Sequence, residues 1–150
     1  ALTMIMVGNN PASAVYVRNK VRACGEVGIR SEVVRLPAEV SEEELLATIR
    51  RLNETASVHG ILVQLPLPAH ISPRRVLETI SVKKDVDGFH EANLGALMAG
   101  RPRVVPCTPL ACMRLIEHAG VQVAGRQAVV SQTARHRNDR QAGEAPRRLK

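Results

Sequence analysis

The sequence predicts an α/β fold: a three-layer parallel sheet with helices on both faces. Three observations carry this. Short apolar runs alternate with longer stretches of helical period, the pattern of successive βαβ units. The runs are continuous rather than alternating, as strands buried on both faces require. Each run is closed by Gly, Pro or Asn, which punctuate the chain at strand ends.

Residues 2–7 (Leu-Thr-Met-Ile-Met-Val) form the first buried strand, closed by Gly8-Asn9-Asn10-Pro11. From Ala12 the pattern becomes helical, with Val15, Asn19, Arg22 and Ala23 at helical offsets, and it ends near Gly28. Residues 29–36 are a second strand, stopped by Pro37. Ser41 with Glu44 has the spacing of a capping box, and three glutamates in the first turn complement the helix dipole. Leu45, Leu46, Ile49 and Leu52 supply that helix's buried face. A third strand at 60–64 is cut off by Leu65-Pro66-Leu67-Pro68, and Ser72-Pro73 opens a short helix. The last helix is expected at 108–118, with Thr108 as N-cap and Pro109 first inside it, followed by a strand at 127–130. Beyond Val130 the periodicity stops, and residues 131–150 have the composition of a disordered segment.

Composition narrows the function. The chain has 150 residues, 45% apolar and 23% charged, and no apolar run long enough for a membrane span. Residues 1–7 show no signal-peptide pattern, so a cytoplasmic location is expected. Of the net charge of +7, residues 1–130 carry +3 and the last twenty carry +4, a basic tail of the kind that can meet nucleic acid. Tyr16 and Phe89 are the only aromatics, which leaves almost nothing for bases to stack on and argues against sequence-specific single-strand binding. Cys24, Cys107 and Cys112 form no CxxC pair, and His59, His70, His90, His118 and His136 form no ligand cluster, so no metal is expected.

In parallel α/β sheets, ligands sit beyond the carboxyl ends of the strands. The polar residues of interest are therefore at 8–13, 64–68 and 83–90. Tyr16 and Lys20 are four apart and share a helix face; a lysine beside a phenol suits proton transfer, although an ordinary amphipathic helix gives the same spacing. Gln64 ends a buried strand and needs hydrogen-bond partners, whether as a structural amide or as a site residue. Asp85 and Asp87 flank Val86. They fit either a solvated Asx-type turn or a carboxylate that accepts from an N–H-rich heterocycle. Cys107 reads as a small buried residue.

Taken in order, these segments resemble one family. Residues 7–20 (Val-Gly-Asn-Asn-Pro-Ala-Ser-Ala-Val-Tyr-Val-Arg-Asn-Lys) are similar to the first signature of the bifunctional methylenetetrahydrofolate dehydrogenase/methenyltetrahydrofolate cyclohydrolases, in their bacterial form. Residues 60–68 resemble the second, and Lys84-Asp85-Val86-Asp87-Gly88-Phe89-His90, Asn93-Leu94-Gly95 and Pro106-Cys107-Thr108-Pro109 continue the likeness, which covers about residues 2–130. The resemblance implies one-carbon folate chemistry. Members oxidise 5,10-methylenetetrahydrofolate with NADP (NAD in some) and hydrolyse the methenyl product to 10-formyltetrahydrofolate. Lys20 would move the protons of the hydrolysis, Gln64 would hydrogen-bond Lys20, Tyr16 would pack against the folate, and Asp87 would bind the pterin nitrogens. Ser13 and Asp85 match neighbouring substrate-binding positions.

The resemblance also sets boundaries: a tetrahydrofolate-binding catalytic domain at 1–124 without the family's first helix, the first strand of a second, Rossmann-like NADP-binding domain only begun at 125–130, and an aberrant basic tail at 131–150. After Val130 the family's Gly-Arg-Ser turn is replaced by Ser131-Gln132-Thr133-Ala134, so most of the NADP site is expected to be missing, together with most of the domain through which members form homodimers. The alternatives are an inactive folate-binding fragment and, from another class, a basic-tailed nucleic-acid-binding module.

Overall fold

A computed structural model of the chain describes residues 1–129. Val130, the basic tail at 131–150 and His136 lie outside the described residues. The elements are β1 (Leu2–Val7), α1 (Pro11–Glu26), β2 (Ser31–Leu36), α2 (Glu42–Glu54), β3 (Gly60–Val63), α3 (Pro73–Thr79), α4 (Glu91–Met98) and α5 (Cys107–His118). The three strands form one parallel sheet in the order β2-β1-β3, with Leu2 opposite Ser31 on one side and Gly60 on the other. The α/β architecture expected from the sequence is present.

Strand alternation divides the core. Ile5, Val7, Ile61 and Val63 point to one face, where they pack with Leu45, Leu46, Ile49 and Leu52 of α2 and Val76 of α3. Met4, Met6 and Leu62 point to the other and meet Val17 of α1. Helices therefore cover both faces. The central strand β1 is buried from Thr3 to Val7, whereas β2, at the sheet edge, is only half-buried.

The helix starts follow local chemistry. Asn10 caps α1 by accepting from the Ser13 amide at 3.1 Å, and Pro11 sits at the first position. Ser41 accepts from the Glu44 amide at 3.2 Å. Ser72 does the same for Arg75 at 3.4 Å.

Several expectations need correction. The last helix begins at Cys107, with the Leu110 amide bonded to the Pro106 carbonyl, so Thr108 lies inside the first turn rather than at the cap. Cys107 is exposed, not buried. Helix α4 falls where no helix was expected, because its N-cap is His90, whose Nδ1 accepts from the Ala92 amide at 3.0 Å. Of the strand expected at 127–130, residue 130 lies outside the described residues, and 127–129 belong to no strand among the described ones. The chain divides into one compact unit from Ala1 to Leu110 and another starting at Ala111; α5 buries no side chain.

One contact in the sheet bears directly on the loop after α3. That loop runs beside β3: the Ile61 amide donates to the Lys84 carbonyl at 2.8 Å, and Ile61 pairs with Asp85 in a parallel bridge. A Cβ on Gly60 would clash with Val86 Cγ1 and lie 3.3 Å from Leu2 Cδ1. Val86 stands between the two aspartates, so a side chain at 60 forces the loop outward. Gly60→Ala is expected to destabilise the chain by about 2 kcal/mol, in the range for overpacking. Urea denaturation checks this; an unchanged midpoint would mean that Val86 moves aside freely.

Candidate functional site

The site is assembled at the carboxyl ends of β1 and β3, where the sheet leaves strand ends for ligands. β1 ends in Gly8, whose positive φ of 73° turns the chain toward Asn10 and the start of α1. Four residues apart on α1, Tyr16 and Lys20 share a face. Tyr16 is 62% exposed, a large aromatic open to solvent, and Lys20 is half-buried.

β3 ends in Gln64, whose amide donates to the Ile5 carbonyl at 2.9 Å and so extends the ladder by one bond. The Gln64 side chain donates from Nε2 to the Leu65 carbonyl at 2.8 Å, while its Oε1 is buried without a partner. The hydrogen bond to Lys20 that the resemblance implied is not formed. Gln64 instead presents a desolvated acceptor oxygen. Ser13 is 5% exposed and its hydroxyl lies 3.5 Å from the same Leu65 carbonyl. Ser13 therefore tethers the first turn of α1 to the β3 exit loop.

The third segment carries the carboxylates, and they differ sharply. Asp85 is 4% exposed. Its Oδ1 accepts from the Gly88 amide at 3.0 Å, and its Oδ2 accepts from the His90 amide at 2.9 Å and from Asn93 Nδ2 at 2.8 Å. With three donors already in place, Asp85 organises the loop. Gly88 fits this loop because its φ is +72° and because Pro106 and Val104 pack 3.4 Å from where a Cβ would lie.

Asp87 is left half-buried with no hydrogen bond among the described residues. Its pKa is raised from the ordinary 3.8: burial pushes it up, the charge of Lys20 pulls it down, and the charge of Asp85 pushes it up again. The charge of Lys20 thus reaches Asp87 across the site.

Sequence reasoning missed Lys84 and Asn93 as residues that shape the site. Lys84 Nζ donates to the carbonyls of Leu52, Asn53 and Thr55 at 2.9, 2.6 and 2.9 Å, which anchors the loop to the end of α2. A lysine next to an aspartate reads as charge compensation, so the sequence offers no signal for this contact. Asn93 carries one weak signal, a polar residue amid the apolar positions of a short helix.

A dinucleotide cofactor would need a glycine-rich strand-to-helix turn with free backbone amides. The described turns at 8–11 and 37–41 do not fit. The first has one glycine and the second none, and Asn10 and Ser41 already occupy helix-terminal amides. Among the described residues no helix is long and apolar enough to cross a membrane.

These features define an α/β domain with a candidate ligand site at the carboxyl edge of a parallel sheet, furnished with an amine, a phenol and a partly buried carboxylate. Residues 1–87 match the family model for the tetrahydrofolate dehydrogenase/cyclohydrolase catalytic domain. The chain belongs to this family. It is 57% identical over 129 residues to the bifunctional protein FolD of Polynucleobacter asymbioticus, covering 86% of the chain and 45% of that relative. It is equally similar to the FolD of Paracidovorax citrulli, with 86% and 46% covered. The chain thus spans just under half the length of these relatives.

Solved structures agree. The FolD methylenetetrahydrofolate dehydrogenase/cyclohydrolase of Campylobacter jejuni superposes with a TM-score of 0.76 at 51% identity, over 79% of this chain and 43% of that one. The Trypanosoma brucei enzyme, complexed with NADP and an inhibitor, gives 0.79 at 41%, over 83% and 42%. The family is therefore one of folate one-carbon enzymes whose relatives carry oxidoreductase and hydrolase activities.

Proposed function

We propose that this chain is a tetrahydrofolate-binding domain that hydrolyses 5,10-methenyltetrahydrofolate to 10-formyltetrahydrofolate, acting on a soluble substrate in the cytoplasm. The observation that carries the reading is the pairing of Lys20 with Asp87: an amine and a carboxylate without hydrogen-bond partners among the described residues, within reach of each other's charge, at the end of the sheet where ligands bind.

In this reading Asp87 accepts N–H bonds from the pterin and fixes its orientation. Tyr16 supplies an aromatic face for the ring system. Water adds to the methenyl carbon, and Lys20 takes a proton from that water and returns one to the ring nitrogen as its bond to carbon breaks. The remaining proton is released and the formyl group stays on the other nitrogen. The orphaned Oε1 of Gln64 is an acceptor for a donor that enters the site. NADP, the cofactor of the family's oxidation step, would supply a hydride acceptor. The described residues do not provide its cradle, and hydride transfer is not assigned to this chain.

The test is calorimetric titration with tetrahydrofolate between pH 4 and 7. Only ionised Asp87 accepts two N–H bonds, so affinity should rise with pH as the carboxyl ionises, at a pH above the ordinary 3.8. The sign for stability is opposite. With a raised pKa the folded state holds more protons in that window, so Asp87 makes the fold less stable as pH rises through it. Asp87→Asn should remove both slopes and weaken binding about tenfold, the worth of one charged hydrogen bond. Affinity independent of pH and unchanged in the variant would overturn the role of Asp87.

A further inference from the structure

We propose that Asn93 is a positioning residue that holds the Asp87 loop through Asp85. The inference rests on the reading of Asp87 as the group that recognises the pterin. Asn93 is 1% exposed and cannot itself reach a ligand. From α4 its Nδ2 donates to Asp85 Oδ2 at 2.8 Å and to the Val82 carbonyl at 3.3 Å. Asp85 in turn grips the amides of Gly88 and His90. Asp87 lies between Asp85 and Gly88, so both ends of its short segment are pinned to one carboxylate.

What fixes the plane of that carboxylate is Asn93. Its bond, added to that of His90, determines which way Oδ2 faces and leaves Oδ1 aimed at Gly88. Remove the amide and Asp85 can rotate, releasing one loop amide or the other.

A second observation separates this role from simple space-filling. Asn93 Oδ1 is buried and has no partner. An unpaired buried acceptor is costly, and leucine, with the same branched shape, would avoid that cost. The amide is useful here for its two donated bonds. A side chain serving only the packing of α4 needs neither.

The experiment compares the full chain with Asn93→Leu, Asp85→Asn and the double variant. Without ligand, hydrogen exchange followed by NMR should quicken about tenfold or more at Gly88 and His90, as expected when a charge-assisted bond is lost. The amides of Ile5 and Ile49 should be unaffected. The Kd for tetrahydrofolate, measured on folded protein, should rise about tenfold in Asn93→Leu, with the double variant no worse than Asp85→Asn alone. If Asn93→Leu does not fold, Asn93→Ser, one bond shorter, should give the same exchange result.

A merely structural Asn93 would lower the melting temperature while leaving the Kd and the loop exchange unchanged; that outcome overturns the proposal. Failure of the unaltered chain to bind tetrahydrofolate would instead overturn the reading of Asp87. The exchange data would still decide whether Asn93 sets the loop.

Discussion

Lys20→Met will bring hydrolysis of 5,10-methenyltetrahydrofolate by this chain close to the uncatalysed rate, a loss of about 10²–10⁴-fold, the usual contribution of a positioned acid–base group. Methionine keeps the length and apolar stem of lysine, so α1 should remain packed on Met4, Met6 and Leu62 through Val17. The variant should therefore fold and bind tetrahydrofolate with little change. Loss of rate with binding preserved would mark Lys20 as acting on the transition state rather than in ground-state binding. Hydrolysis by Lys20→Met within twofold of the unaltered chain would remove Lys20 from the mechanism. The assay follows the loss of methenyl absorbance, corrected for hydrolysis in buffer alone.

The shared face of Tyr16 and Lys20 is legible in the amino-acid sequence, and the reason is geometric; the proton-transfer role of Lys20 is implied by the family resemblance alone. A strand-ending Gly8-Asn9-Asn10-Pro11 turn fixes where α1 starts, and helical spacing then puts Tyr16 and Lys20 on one face. The same holds for the core: the odd and even residues of β1 sort into two clusters because a strand has period two. Contacts that depend on the partner's position are less legible. The sequence shows Asp85 and Asp87 as near-equivalent carboxylates, and only the fold reveals that one is enclosed by three donors and the other has none among the described residues. Ser13 and Gln64 meet through the Leu65 carbonyl, a backbone atom that leaves no trace in residue identity. Helix α4 escapes sequence reasoning because its cap is an imidazole, outside the usual Ser, Thr, Asp and Asn set, and because Gly95 interrupts its short apolar run.

Lys84 is the clearest instance of a residue whose role sequence could not give, and its replacement should have the largest effect on stability. A helix leaves its last carbonyls without intrahelical partners, and a cation there satisfies them and complements the dipole. Lys84 Nζ donates to three carbonyls of the α2 terminus from a half-buried position where water replaces it poorly; those of Leu52 and Thr55 also accept from the Thr55 and Val58 amides, whereas that of Asn53 has no other donor among the described residues. The same loop is bound to α2 a second time: Asn53 Oδ1 accepts from the Ser81 amide at 2.9 Å, and its Nδ2 donates to the Thr79 carbonyl at 2.7 Å. Through the Lys84 carbonyl the anchor also reaches β3, and one residue further on it reaches Asp85. Lys84→Met keeps the stem and removes every donor, and should destabilise the chain by about 3 kcal/mol, the value of hydrogen bonds to one charged group together with the Asn53 carbonyl left without a partner. That corresponds to a melting temperature lower by roughly 10–15 °C for a unit of this size. Lys84→Arg should recover only part of the loss, because a planar guanidinium cannot converge on three carbonyls as a tetrahedral ammonium does. Thermal unfolding followed by circular dichroism reads the difference. If Lys84→Met melts within about 2 °C of the unaltered chain, a shift below that expected for even 1 kcal/mol, the three bonds do not hold the loop in solution. The Asp87 segment would then depend on Asp85 and Asn93 alone.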